Sequence, residues 1–220
     1  MDDRIIQLLS DSFWKILIPG FTVTVPLTLI SFALGLALAV TGALILEAKV
    51  PVLRQIIRTY VWIIRGTPLM VQLFIIYYGL PNLGLVLDPI PSAIIAFTLS
   101  VGAYCTETIR GAISSVPQGQ IEAGACVGLN YVQIMFLIVL PQAFRSAFPA
   151  LFNSFISLVK DTSLAASVTG TEMFMSAQRI AARTYEPFWL YIEVALFYLL
   201  FSTVLTAVQN RGEKYLNRYA

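Results

Sequence analysis

Glu122-Ala123-Gly124-Ala125-Cys126-Val127-Gly128-Leu129-Asn130-Tyr131-Val132-Gln133-Ile134-Met135-Phe136-Leu137-Ile138-Val139-Leu140-Pro141 decides how the rest of the chain is read, because it joins two apolar segments through a short polar one. Upstream, Ser115 and Gln118 stand in the spacing of a capping box, and Pro117 falls in the first turn, where its missing N–H is harmless. Gly128 is a natural stop. The spacing predicts a helix over about 116–127, with Val116, Ile121 and Ala125 near one face and Gln118, Gln120 and Glu122 presented elsewhere. So short a helix is marginal alone and needs a surface to lie on. On the residues alone it is either an ordinary loop helix or a stiff element shaped to pass a push from a soluble partner. Asn130 can cap the next helix, which Pro141 and Pro149 would kink on one side.

The chain has 220 residues, of which 58% are hydrophobic and 12% charged, and a mean hydropathy of +0.79, far more apolar than a soluble domain of that size. It is read as an all-α integral membrane protein. Net charge is only +2, with no basic run and no basic-aromatic patch, which argues against nucleic acid as a partner. There is no histidine, and Cys105 and Cys126 are isolated, so no transition-metal ligand set and no disulfide framework is visible. Cys105 reads as a small packing residue. Asp2, Asp3 and Asp11 against Arg4 reverse the charge of a signal peptide, so no cleavage is expected.

Apolar runs long enough to cross a bilayer, about 20 residues each, occur near 20–46, 58–79, 90–113, 141–159 and 188–208. Five spans put the termini on opposite sides. Lys49, Arg54, Arg58, Arg110, Arg145, Arg211, Lys214 and Arg218 fall on one side, whereas the connection 80–89 has no Lys or Arg. By the positive-inside rule the amino terminus is outside and the carboxyl terminus cytoplasmic. The fourth connection, with Lys160, Arg179 and Arg183, runs against this assignment and marks a functional segment. The first span, with Gly35 and Gly42, reads as a peripheral packing helix.

Several polar groups lie at membrane depth. Arg65 precedes Gly66-Thr67-Pro68 in the second span, and Glu107 lies at comparable depth in the third. An intramembrane charge needs a partner; either Arg65 pairs with Glu107, or Arg65 snorkels and Glu107 pairs with Arg110. Asp161 lies sixteen residues beyond Arg145, about 24 Å at helical rise. Asp161, Thr162 and Ser163 therefore offer a carboxylate and hydroxyls inside the hydrocarbon region, suited to the ammonium and carboxylate of an amino acid, and are expected to line the substrate path together with Glu172. The rival reading is a solvated outer loop. From Thr171 an amphipathic helix is predicted, with Met173, Ala177, Ile180 and Ala181 on one face, ending before Pro187; Glu193 is expected to pair with Arg179 or Arg183.

The spacing Glu-Ala-x, three residues, Gly, nine residues, Ile-x-Leu-Pro, met here by Glu122, Ala123, Gly128, Ile138, Leu140 and Pro141, resembles the EAA signature of ABC-importer permeases. Gly124 stands where that pattern usually has Ala. Arg65-Gly66-Thr67-Pro68-Leu69, Ala103-Tyr104 with Glu107 and Arg110, Leu140-Pro141-Gln142-Ala143 and Lys160-Asp161-Thr162-Ser163-Leu164 are similar to the polar amino acid subfamily. Leu87-Asp88-Pro89-Ile90-Pro91-Ser92 and Gln209-Asn210-x-x-Glu213-x-x-Leu216-Asn217-Arg218 look most like permeases for L-cystine.

This resemblance implies a single type I permease domain over 1–220, with five transmembrane helices and a cytoplasmic coupling helix. It implies that Glu122, Ala123, Gly124, Gly128, Leu140 and Pro141 couple to the ATPase. The chain would be a transport subunit and not an enzyme, in a bacterial cytoplasmic (inner) membrane. It would work with a second permease subunit, identical or related, two ATP-binding subunits and an external solute-binding protein. The chain has no phosphate-binding Gly-x-x-x-x-Gly-Lys-[Ser/Thr] loop, so this chain would bind no cofactor and ATP and magnesium would sit on the partner subunit. An ion-coupled secondary transporter or channel is the alternative; inverted repeats would favour it, and none is visible. An intramembrane enzyme would have to work with carboxylates and hydroxyls alone.

Overall fold

Lipid offers backbone groups no hydrogen bonds, so a chain this apolar crosses it as helices, and every regular element among the described residues is helical. The computed structural model of the protein describes residues 3–48, 50–216 and 218. Asp2, Lys49 and Asn217, used in the charge and resemblance readings, lie outside these. In order the helices are α1 (Asp3–Pro19), α2 (Val25–Ala48), α3 (Pro51–Gly66), α4 (Leu69–Phe74), α5 (Pro89–Ser114), α6 (Gln118–Cys126), α7 (Tyr131–Ile134), α8 (Leu140–Asp161), α9 (Met173–Thr184) and α10 (Pro187–Leu216).

Four helical stretches among the described residues are long and apolar enough to cross a membrane: Asp3–Ala48, Pro89–Ser114, Tyr131–Val168 and Pro187–Leu216. A fifth is a broken pair, Pro51–Gly66 with Leu69–Leu83, bent by 106°. The second span is therefore not the continuous helix expected over 58–79. Pro68 has no N–H to continue the ladder, and Thr67 and Pro68 are both extended. The carbonyls freed at the break are taken up by one side chain: Gln72 Nε2 lies 2.7 Å from Ile64 O, 3.0 Å from Thr67 O and 2.9 Å from Thr67 Oγ1.

The first span departs from expectation at its start and in its place in the fold. Residues before 20 form a helix of their own, α1, which passes through a π-helical turn (Gly20–Thr24) into α2. Ile16 and Leu17 of α1 pack with Met173, Ala177 and Ala181 of α9 and Leu190, Val194 and Phe197 of α10. α2 is central and not peripheral, because its small residues let it lie closely along α5. A Cβ on Gly35 would come 2.6 Å from Val101 Cγ1, one on Gly42 would come 2.9 Å from Thr106 Oγ1, and one on Gly102 would come 2.7 Å from Leu38. The main core, with Leu27, Ala39, Ala93, Ala96, Phe97 and Cys105, lies around this contact. Tyr60 ties α3 to α5, its hydroxyl donating to Leu99 O at 2.6 Å.

Gly35→Val should overpack this contact and cost about 1–3 kcal/mol, read as a lower Tm of the purified protein in detergent. Gly111→Ala, where an added Cβ meets nothing within 4 Å, should leave Tm unchanged or raise it, since Ala in a helix is favoured over Gly by about 0.5–1 kcal/mol.

Candidate functional site

The helix expected over 116–127 is Gln118–Cys126, shorter at its start. There is no Ser115–Gln118 capping box: Pro117 is the N-cap residue, and Ser115 Oγ donates back to Ala112 O at 2.8 Å, closing α5 instead. The far end is as the sequence suggests. Gly128 has φ +85°, Gly128 N–H donates to Ala125 O at 3.0 Å and Leu129 N–H to Gly124 O at 3.1 Å, which together make a Schellman stop. Asn130 then caps α7 reciprocally with Gln133: Asn130 Oδ1 accepts from Gln133 N, and Gln133 Oε1 accepts from Asn130 N.

The inward residue of α6 is Gly124 and not Ala125, which is exposed. A Cβ at Gly124 would sit 2.8 Å from Ile138 Cδ1 and 3.1 Å from Ile134 Cγ1, so the departure from Ala at this position goes with close packing of α6 on the following helix. Val116 is buried just ahead of α6, and Ile121 packs on the same cluster with Ala112, Ile113, Ile134 and Val139. Glu122, Ala123 and Gly128 are exposed. Leu140 and Pro141 open α8 behind a π-helical turn (Met135–Val139). Leu140 N–H donates to Met135 O, Pro141 has no N–H to donate, and Gln142 Nε2 donates to Ile138 O at 2.9 Å.

The four residues assigned to a substrate path separate. Asp161 ends α8 half-buried, and no donor among the described residues takes its carboxylate; Ser163 is also partly accessible, its hydroxyl donating to Lys160 O at 2.7 Å. Lys160 and Ser163 line an open groove of about 500 Å³ together with Phe174, Tyr191 and Tyr198. Thr162 is fully buried and its hydroxyl donates to Val159 O, inside the 3₁₀ segment Thr162–Val168. Glu172 is fully buried as well: its carboxylate accepts from Phe174 N (2.7 Å), Met175 N (2.7 Å) and Tyr198 Oη (2.8 Å). Its carboxyl group caps α9 and fastens that helix to α10, so Thr162 and Glu172 do not face open space.

The pair Arg65–Glu107 is not formed. Glu107 Oε2 accepts from Arg110 Nη2 at 2.7 Å and Nε at 3.2 Å, the helical i,i+3 alternative. The Arg65 guanidinium carbon lies 5.4 Å from the centroid of the Tyr104 ring, an attraction of the cation for the ring face. Glu193 pairs with neither Arg179 nor Arg183; it accepts from Ser12 Oγ of α1, a helix the sequence did not reveal. The amphipathic helix is found as α9, with Met173, Ala177 and Ala181 buried and Ile180 packed at the edge. Gln72 and Tyr198 were not anticipated. The one available signal was Gln72 itself, a polar residue four places after Pro68 in an apolar run.

An all-helical membrane domain with a stiff exposed helix between two spans and a partly accessible carboxylate at a span end has the architecture of a permease subunit. Comparison agrees: the family described as binding-protein-dependent transport system inner membrane component matches residues 34–217. The chain belongs to that family. It is 49% identical over 214 residues to the L-cystine transport system permease protein TcyB of Bacillus subtilis, covering 97% of this chain and 92% of that one. It is 41% identical over 187 residues to the probable amino-acid ABC transporter permease protein PatM of Vibrio harveyi, covering 84% of each. A crystal structure of an amino acid ABC transporter with histidines superposes with a TM-score of 0.86 at 28% identity, over 91% of this chain and 94% of that one.

Glu172→Ala should remove the cap and strand the Tyr198 hydroxyl, costing about 1–3 kcal/mol, read as a lower Tm. Uptake per assembled complex should stay near wild type, because the carboxylate is spent inside the protein.

Proposed function

We propose that this chain is the transmembrane subunit of an ABC importer for polar amino acids, with L-cystine as its substrate. The observation that carries the substrate reading is the 49% identity to TcyB along nearly the whole chain. In this reading two copies of the permease enclose the path, two ATP-binding subunits dock on α6, and an external solute-binding protein delivers the amino acid. Hydrolysis of ATP, with its magnesium, takes place on the partner subunits. The sequence's missing phosphate-binding loop supports that division of labour.

Coupling rests on Glu122, Ala123, Gly124, Gly128, Leu140 and Pro141. The exposed side of α6 meets the partner, and the locked joint Gly128–Asn130 hands displacement to α7 and α8. Along the path, Asp161 and Ser163 meet the substrate, since a carboxylate in a span that takes no hydrogen bond among the described residues needs water or a ligand to satisfy it. Measuring ATPase stimulation of the reconstituted complex by its binding protein across the amino acids tests the reading: L-cystine should stimulate, and silence across the panel would sink it.

At Gly128 an added side chain meets open space, so only the positive φ opposes it. Gly128→Val should therefore uncouple hydrolysis from uptake, while Gly128→Asn, which tolerates that backbone, should keep most coupling. Asp161→Asn should lower uptake per assembled complex by about tenfold, the loss of one charge-assisted bond.

The amino terminus lies outside in this reading, and the segment 84–88 with it. A cysteine at Leu85, which is 58% exposed, should react from outside with an impermeant thiol reagent in a protein lacking Cys105 and Cys126. The exposed native Cys126 should react only from the cytoplasmic side. The reverse pattern would invert the topology.

A further inference from the structure

α1 and α10 run side by side: Ser12 meets Glu193, the rings of Phe13 and Phe197 stand 5.1 Å apart, and those of Phe21 and Phe201 stand 5.2 Å apart. Along their open side lies a groove of about 700 Å³, lined by Trp14 and Leu17 of α1 and by Trp189, Leu196 and Leu200 of α10. Trp14 is 63% exposed, Leu196 58% and Leu200 56%. From Trp189 to Leu200 is eleven residues, about 16 Å at helical rise and so about half of a hydrocarbon core of roughly 30 Å. The groove has the length of one leaflet.

Its depth is fixed from the other end of the same helix. Arg211 is the first basic residue after the last span, and Glu193 stands eighteen residues before it, about 27 Å, at the opposite edge of the hydrocarbon. Trp189 lies one turn beyond, at the level where tryptophan rings sit between lipid heads and chains. Lipid is the medium that meets an open apolar groove at this level. Glu193 is the one ionisable residue in the lining. Ser12 Oγ donates to its Oε2, while Oε1 takes no hydrogen bond among the described residues. A carboxylate at the membrane edge calls for a cation or a donor. A head group of net negative charge is repelled there, and a quaternary ammonium has no N–H to give.

We propose that this groove is a phospholipid site for a head group bearing a primary ammonium, of the phosphatidylethanolamine type. One acyl chain lies along Leu17, Leu196 and Leu200, the two tryptophans flank the glycerol level, and the ammonium donates to Glu193 Oε1. The lipid touches α1 and α10 together and so braces α1, which packs on α9 through Ile16. The site is independent of which amino acid is carried.

The test uses the permease assembled with its ATP-binding subunits and stripped of lipid in detergent. It is titrated with phosphatidylethanolamine, phosphatidylcholine and phosphatidylglycerol of identical chains, and bound lipid is counted by native mass spectrometry. Wild type should hold one phosphatidylethanolamine per permease copy about tenfold more tightly than either of the others, as one charge-assisted bond predicts. Glu193→Gln should erase that preference. Leu196→Trp should fill the groove and weaken phosphatidylethanolamine binding about tenfold, whereas Val204→Trp, two turns further along α10 and outside the groove, should leave it unchanged. Leu196 is exposed and takes no part in the Ser12 contact, so its variant decides the proposal even if Glu193→Gln assembles poorly. Equal binding of the three lipids by wild type, or a preference that survives either substitution in the groove, would overturn the site. Loss of permease assembly in Leu196→Trp would give the groove to a protein neighbour and overturn it as well.

Discussion

The close approach of α2 and α5 is the contact from which the other positions follow. Within a bilayer there is no hydrophobic gain in bringing two apolar helices together, so the gain comes from atoms packed at van der Waals distance. Gly35, Gly42 and Gly102 remove the side chains that would hold the two backbones apart. With α5 held this way, its outer face receives α3 through Tyr60, its middle presents Tyr104 and Glu107, and its end sets where the chain turns into α6. The exposed helix and the Tyr104–Glu107 face of α5 are thus referenced to one rigid member.

The second constraint is that interruptions of a buried helix must be repaired locally. Three of the breaks have such a repair. Gln72 serves the carbonyls at Thr67–Pro68, Gln142 serves Ile138 ahead of the Pro141 helix, and the hydroxyls of Thr162, Ser163 and Ser167 turn back onto carbonyls three residues earlier in the 3₁₀ segment. These polar side chains stand in apolar sequence for a structural reason, which separates them from Asp161, whose carboxylate takes no hydrogen bond among the described residues.

The membrane class, the Gly128 stop, the Asn130 cap and the amphipathic face of α9 were legible because each is set by residues within one or two turns. What could not be read was set by partners distant in sequence. Glu193 finds Ser12 nearly the whole chain away, and Glu172 finds Tyr198; a pattern of local spacing carries no sign of either. The Ser115–Gln118 spacing fits a capping box, yet α5 keeps Ser115 for its own last turn, and a four-residue pattern cannot tell which of two adjoining helices will claim a shared residue. The pairing of Glu107 was readable as a choice of two, and the i,i+3 neighbour won because it needs no second helix.

The joint after α6 has a mechanical consequence. Between Gly124 and Gln133 the chain is closed from both sides, by a Schellman stop and then a reciprocal cap, so these residues act as a rigid elbow. A torque applied to the exposed arm cannot be absorbed by the bend and must travel into the next limb. The first compliant place there is the π-helical turn Met135–Val139, where the hydrogen-bond register is already one residue wider than that of the helix it feeds. Stress arriving at the elbow therefore concentrates just ahead of Pro141, and a change of pitch at that turn would rotate the whole of α8 and carry Asp161 at its far end.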